Sequence, residues 1–123
     1  MDKDISTTLL LTNTLPAPEK KEYEVKRLSK AFGKPFKVEL KQLSYSRMAE
    51  IRKMKDENDI QAILASMTVP DMKNEELLEK FDAVTPAEAV KKIFIPGEIS
   101  DLFIQISKLS GYMSDTVKEI KKN

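Results

Sequence analysis

The sequence predicts an α+β domain, mainly α, in which an N-terminal β-hairpin precedes a bundle of short helices. Three observations carry that prediction. Apolar and charged residues alternate on either side of Gly33-Lys34-Pro35, the period of half-buried strands. From Ser44 onward apolar residues recur instead at three- and four-residue spacing, the period of amphipathic helices. Pro86 and Pro96 stand just inside predicted helix starts, where a missing N–H costs nothing.

Residues 1–21 read as a flexible N-terminal arm. Thr7, Thr8 and Thr12 disfavour a helix, and Pro16 and Pro18 interrupt regular structure. Leu9, Leu10 and Leu11 stand out in such an arm, because a free tail gains nothing by exposing three leucines. They either fold back as a satellite cluster or serve as a docking peptide for another chain.

Residues 22–123 read as one domain, its hairpin at about 22–43 and its helical part at about 44–122. Tyr23 and Val25 alternate with charges in the first strand, and Phe36, Val38 and Leu40 do so in the second. Gly33-Lys34-Pro35 supplies turn chemistry between them. Lysines on the polar face discourage indiscriminate edge pairing. A hairpin alone is marginal, so its apolar face must rest on helices or on another subunit.

Ser44 or Ser46 caps the first predicted helix, which carries Tyr45, Met48, Ala49 and Ile51. Ile60, Ile63, Leu64 and Met67 mark a second, ended at Val69-Pro70 because the residue before proline avoids helical geometry. Asn74 caps a third, with Glu75 and Glu76 at its positive end and Leu77, Leu78 and Phe81 buried. Thr85-Pro86-Ala87-Glu88 reads as a capping box opening a fourth. Pro96-Gly97-Glu98 opens a fifth, with Gly97 allowing a close turn and Ile99, Leu102, Phe103, Ile106 and Leu109 in one stripe. Gly111 suits the left-handed position that closes it. Ser114 is the expected cap of a last helix holding Met113, Val117 and Ile120.

Composition excludes much chemistry. The 123 residues contain no cysteine and no histidine, so disulfides, thiolates and the usual zinc, haem and iron–sulfur ligand sets are out of reach. The common nucleophile–base pairs of acyl transfer also lose their base. No catalytic, metal or cofactor-binding residues are predicted, and the chain is not read as an enzyme. No run approaches the roughly 18 apolar residues of a membrane span, and the cytosol is the default location. The net charge of +1 is unevenly spread. Residues 19–55 hold 12 Lys/Arg against 5 Asp/Glu, whereas residues 56–123 hold 8 against 13.

The basic segment, residues 20–55, with Tyr23, Phe32, Phe36 and Tyr45 interleaved, supports an alternative reading as a small DNA-binding or regulatory protein. A pI near 7.8 and the absence of a basic recognition helix argue against it. Pro96-Gly97-Glu98 is a weak phosphate-loop signal, since Gly97 stands alone. Met54, Met72 and Met113 fall near helix ends or loops, where thioethers can repack against varied apolar partners. Together with Leu9, Leu10, Leu11, Tyr23 and Val25 they form the candidate partner-binding set.

The order and spacing of several segments resemble the XkdN-like family of phage tail assembly chaperones. The similar segments are Val69-Pro70-Asp71, Leu77-Leu78, Thr85-Pro86-Ala87-Glu88, Pro96-Gly97-Glu98-Ile99, Leu109-Ser110-Gly111-Tyr112 and Lys121-Lys122-Asn123. The resemblance runs from about Tyr23 to Asn123, with Phe94-Ile95 standing where the family more often has leucines. It implies a non-enzymatic role in a phage or prophage. Such a chaperone binds the tape-measure protein; the tail tube protein and further copies of this chain are candidate additional partners. It would work in the host bacterial cytoplasm and be absent from the mature virion. Lys121-Lys122 is also compatible with the slippery codons of a frameshifted longer form.

Overall fold

In the computed structural model, which describes residues 4–113 and 115–121, β1 (Lys20–Glu24) and β2 (Lys37–Lys41) pair antiparallel. Tyr23 lies opposite Val38 and Lys21 opposite Leu40, so the predicted alternation sets the register. The connection between them is not a tight turn. A helix, α1 (Lys26–Phe32), fills it, burying Leu28 and ending at Gly33 with φ 71°. The Gly33 N–H donates to the Ser29 carbonyl at 3.0 Å, and the Ser29 hydroxyl accepts from the Phe36 N–H at 2.7 Å. Leu28 and Phe32, four apart, carried the helical signal that alternation obscured.

A third strand joins the sheet. The helix α3 (Asn58–Ser66) stops one residue before β2's second neighbour, β3 (Met67–Val69), which pairs antiparallel with β2 across an irregular step at Glu39/Leu40. Met67, expected on the helix, is therefore a strand residue. Ser66 makes the junction. Its hydroxyl, fully buried, donates to the Lys41 carbonyl at 2.7 Å and accepts from the Lys41 N–H at 3.1 Å. A side chain thus supplies what the ladder would have supplied.

The helices cover one face of the sheet. After β2 come α2 (Tyr45–Lys53) and α3; after β3 come α4 (Glu75–Lys80), α5 (Pro86–Ile93) and α6 (Pro96–Leu109). Ser44 is the cap of α2, accepting from the Arg47 N–H at 3.2 Å. Val38 and Leu40 from the sheet, Ile51 from α2, Ile60 and Ile63 from α3, Val90 from α5 and Leu102 and Ile106 from α6 meet in one core. Each fully buried aliphatic side chain contributes about 1.5–3 kcal/mol.

Two helices end in the same hydrogen-bonded pattern. After α6 the Gly111 N–H reaches the Lys108 carbonyl and the Tyr112 N–H the Ser107 carbonyl, with Gly111 at φ 98°. After α4 Asp82 takes the glycine's place at φ 51°, bonding to Glu79 while Ala83 bonds to Leu78.

Both ends of the chain depart from expectation. An additional helix, αN (Ile5–Thr12), forms despite its threonines, because Asp4 caps it and the threonine hydroxyls turn inward. Asp4 accepts from the Thr7 N–H at 3.2 Å and from the Thr7 hydroxyl at 2.5 Å; the Thr12 hydroxyl donates to the Thr8 carbonyl at 2.8 Å. The predicted last helix is not seen: residues 115–121 adopt no regular structure, and its expected cap Ser114 and its end at Lys122 lie outside the described residues.

Candidate partner-binding surface

αN lies outside the core. Ile5, Leu9, Leu10 and Leu11 are 54–80% exposed, and Leu15 beyond it is equally open. Residues 5–18 hold no charged side chain, which is unusual for a surface helix and its extension. Asp4 and the helix backbone already satisfy the hydroxyls of Thr7, Thr8 and Thr12. What remains to meet a partner is largely apolar.

The other candidates separate by burial. Met113 is 72% exposed, just beyond the end of α6. Tyr23 packs its side of the ring on the core, and Met54 is half-buried at the end of α2. Val25 and Met72 are core residues, 6% and 4% exposed, and cannot present a contact surface. Val25 is the residue before α1, tied by its N–H to the Phe36 carbonyl at 3.0 Å, which turns its side chain inward.

A groove of about 380 Å³, with no local signature in the sequence, lies beside α2 and the end of α6. Pro16 and Pro18 line one wall, and Leu43, Tyr45, Met48 and Tyr112 contribute apolar and aromatic surface. Tyr45 is 86% exposed. The Arg52 guanidinium sits 4.5 Å from the centre of the Tyr112 ring, and the Leu43 N–H donates to the Ser110 hydroxyl at 3.1 Å. The sequence shows only Tyr45 between two serines in a helix's first turn, a position that need not pack. Because Pro16 and Pro18 continue from Leu15, αN and the groove belong to adjoining stretches of chain.

The predicted capping residues hold the scaffold. The Thr85 hydroxyl accepts from the Glu88 N–H at 3.1 Å, with Pro86 at the first helical position. The Glu88 carboxylate turns instead to Lys92 at 3.6 Å, so the box is half-closed. Glu98 accepts from the Ile95 N–H at 3.0 Å and from both Nε and an Nη of Arg27 at 2.9 Å. Arg27 also donates to the Ile93 carbonyl at 2.8 Å, clamping α1 onto the corner between α5 and α6. The Arg27 fork holds the Glu98 carboxyl below its usual range; burial opposes it, and the Ile95 N–H adds a lesser lowering. Glu98 thereby occupies the start of α6, after Pro96, with the charge an anion site would need to exclude. Gly97 has open space where a Cβ would stand, so no close approach requires it there.

Several cations of residues 20–55 have acidic neighbours. Arg27 pairs with Glu98 and Arg47 with Glu50, and the lysines of the sheet alternate with Glu22, Glu24 and Glu39. Among the described residues no cluster of acidic side chains could hold a metal ion, and no helix is long and apolar enough to cross a membrane.

A three-stranded sheet backed by short helices, with an uncharged leucine-bearing helix outside its core, defines a small, mainly helical α+β domain. The profile of the phage XkdN-like tail assembly chaperone proteins matches residues 7–121, and the chain belongs to that family. The match enters αN, further toward the N-terminus than the motifs alone extend. The crystal structure of the protein YqbN, 18% identical, superposes with a TM-score of 0.70 over 91% of this chain and 99% of that one. That likeness is one of fold. No curated protein matches the chain.

Proposed function

We propose that this tail assembly chaperone binds the tape-measure protein of its phage or prophage and keeps it soluble until tube subunits assemble around it. The observation that carries this reading is αN, which exposes Ile5, Leu9, Leu10 and Leu11 on a helix without charge. A long amphipathic helix also exposes an apolar stripe, and two such surfaces associate in water because each removes the other's apolar area from solvent. An eight-residue helix is marginal alone, so contact with a partner helix stabilises αN as it covers the stripe. Many copies spaced along one tape add weak contacts that tube protein can later displace.

On this reading residues 1–21 act as the recruiting arm and residues 22–123 as its carrier domain. The chain works in the host cytoplasm, is not retained in the finished virion, and needs no catalytic group. Co-expression with the tape-measure protein from the same genome tests it. The tape measure should move to the soluble fraction with the wild-type chain and stay in the pellet with a Leu9→Ser, Leu10→Ser, Leu11→Ser variant. A tape measure equally insoluble with and without the wild-type chain would count against the proposal.

A further inference from the structure

Among the described residues β1 is an edge strand with one neighbour, β2, and the alternation of its hydrogen bonds is fixed at both ends. The Gln42 N–H donates to the Glu19 carbonyl at 2.8 Å and the Val25 N–H to the Phe36 carbonyl at 3.0 Å. Residues 19, 21, 23 and 25 therefore bond inward to β2, and the N–H and C=O groups of Lys20, Glu22 and Glu24 point away from the sheet. The ladder with β2 is regular throughout. The opposite edge is guarded: β3 has three residues, an irregular register and Pro70 directly after it. β1 has no proline and no bulge.

The side chains on this edge are complementary to themselves. β1 reads Lys-Lys-Glu-Tyr-Glu, positive at its start and negative at its end. Antiparallel pairing of two copies about Glu22 places Lys20 opposite the second copy's Glu24 at both ends, and Lys21 opposite the second copy's Tyr23. Within one copy Lys20 faces Lys41 and Glu22 faces Glu39 across the sheet, both like-charge pairs. Among the described residues Lys20 has no carboxylate partner. The second copy supplies one.

We propose that β1 is an interaction edge for a second copy of this chain, joining two three-stranded sheets into one of six strands across a two-fold axis. Three facing pairs (Lys20 with Glu24 twice, Glu22 with Glu22) exchange the outward N–H and C=O groups. The central Glu22 pair is repulsive and keeps the association weak. A dimer of this form carries two αN arms, so one dimer can hold a long partner at two points.

Sedimentation of the full-length chain over a concentration series tests the proposal without any tape-measure protein, so its outcome is independent of the chaperone reading. The wild-type chain should dimerise reversibly. Lys20→Glu and Glu24→Lys should each weaken dimerisation about tenfold by turning both end pairs repulsive, and the double variant should restore it. Because the chain lacks cysteine, Glu22→Cys gives a second readout. Facing Cα atoms in such a pair lie about 5.5 Å apart, within disulfide range. Oxidation should link Glu22→Cys into dimers far faster than it links an exposed control, Lys30→Cys. A chain that remains monomeric at about 1 mM, a double variant that stays as weak as its parents, or equal cross-linking of the two cysteine variants would overturn the proposal.

Discussion

Glu98 shows how much one side chain holds at this corner of the fold. It joins α1 to the start of α6 through Arg27 and closes the Ile95 N–H that the helix leaves unpaired. Its folded-state pKa is lowered, so its contribution is complete above the unfolded carboxylate value, about 4.3, and is lost as pH falls through the lower folded value. Glu98→Gln should therefore lower the melting temperature at pH 7 and narrow its gap to the wild type as the solution is acidified. Melting curves from pH 7 to pH 3 check this. Asp82 makes the opposite case. It holds the left-handed position that glycine holds after α6, and Asp82→Gly should raise stability by about 0.5 kcal/mol in denaturant titration. The Lys92 ammonium bonds to the Asp82 carbonyl of the backbone at 2.6 Å, a contact the change leaves in place. At this scale caps were legible: Ser44, Asn74, Thr85 and Gly111 occupy the positions their chemistry required. Burial was less so, since Val25 and Met72 read as surface candidates and lie in the core.

The elements follow local periodicity wherever a single period holds over two turns or more. α3, α5 and α6 carry their apolar stripes where spacing put them, and β1 and β2 alternate as expected. Periodicity failed where a long-range partner decided the outcome. β3 exists because Ser66 hands the chain to Lys41 of β2, a contact 25 residues away that no local pattern encodes. Ser66→Ala removes the hydroxyl and leaves both Lys41 backbone groups without that partner in a partly buried place. It should cost about 1–3 kcal/mol, measured by urea unfolding. αN formed against the reading of its threonines because Asp4 supplied a cap and the hydroxyls bonded along the helix. Acid should weaken it: Thr7 holds the Asp4 carboxyl below its ordinary value, so capping is retained above the free carboxylate range and lost as pH falls through the lowered value.

At the scale of the molecule, two kinds of apolar surface divide the work. The core ties α3 and α6 to the sheet through Ile63, Ile106, Val38 and Leu40, all at 0% exposure. αN exposes its leucines and contributes no buried residue. Ile63→Ala should therefore cost about 2–5 kcal/mol of folding stability, while Leu10→Ser should change it by less than about 0.5 kcal/mol. The mainly helical α+β class was legible in the sequence, and so was the family, whose profile spans residues 7–121. The groove beside Tyr45 and Tyr112 was not, because it joins the residues after αN to the two ends of distant helices.

If a helical partner lands on αN, amide hydrogen exchange along the chain reads the event directly. Adding tape-measure protein should slow exchange across residues 5–12, which an isolated eight-residue helix cannot protect, and leave the core amides of α3 and α6 as they were. A complex that forms while αN exchanges as fast as in the free chain would contradict that landing.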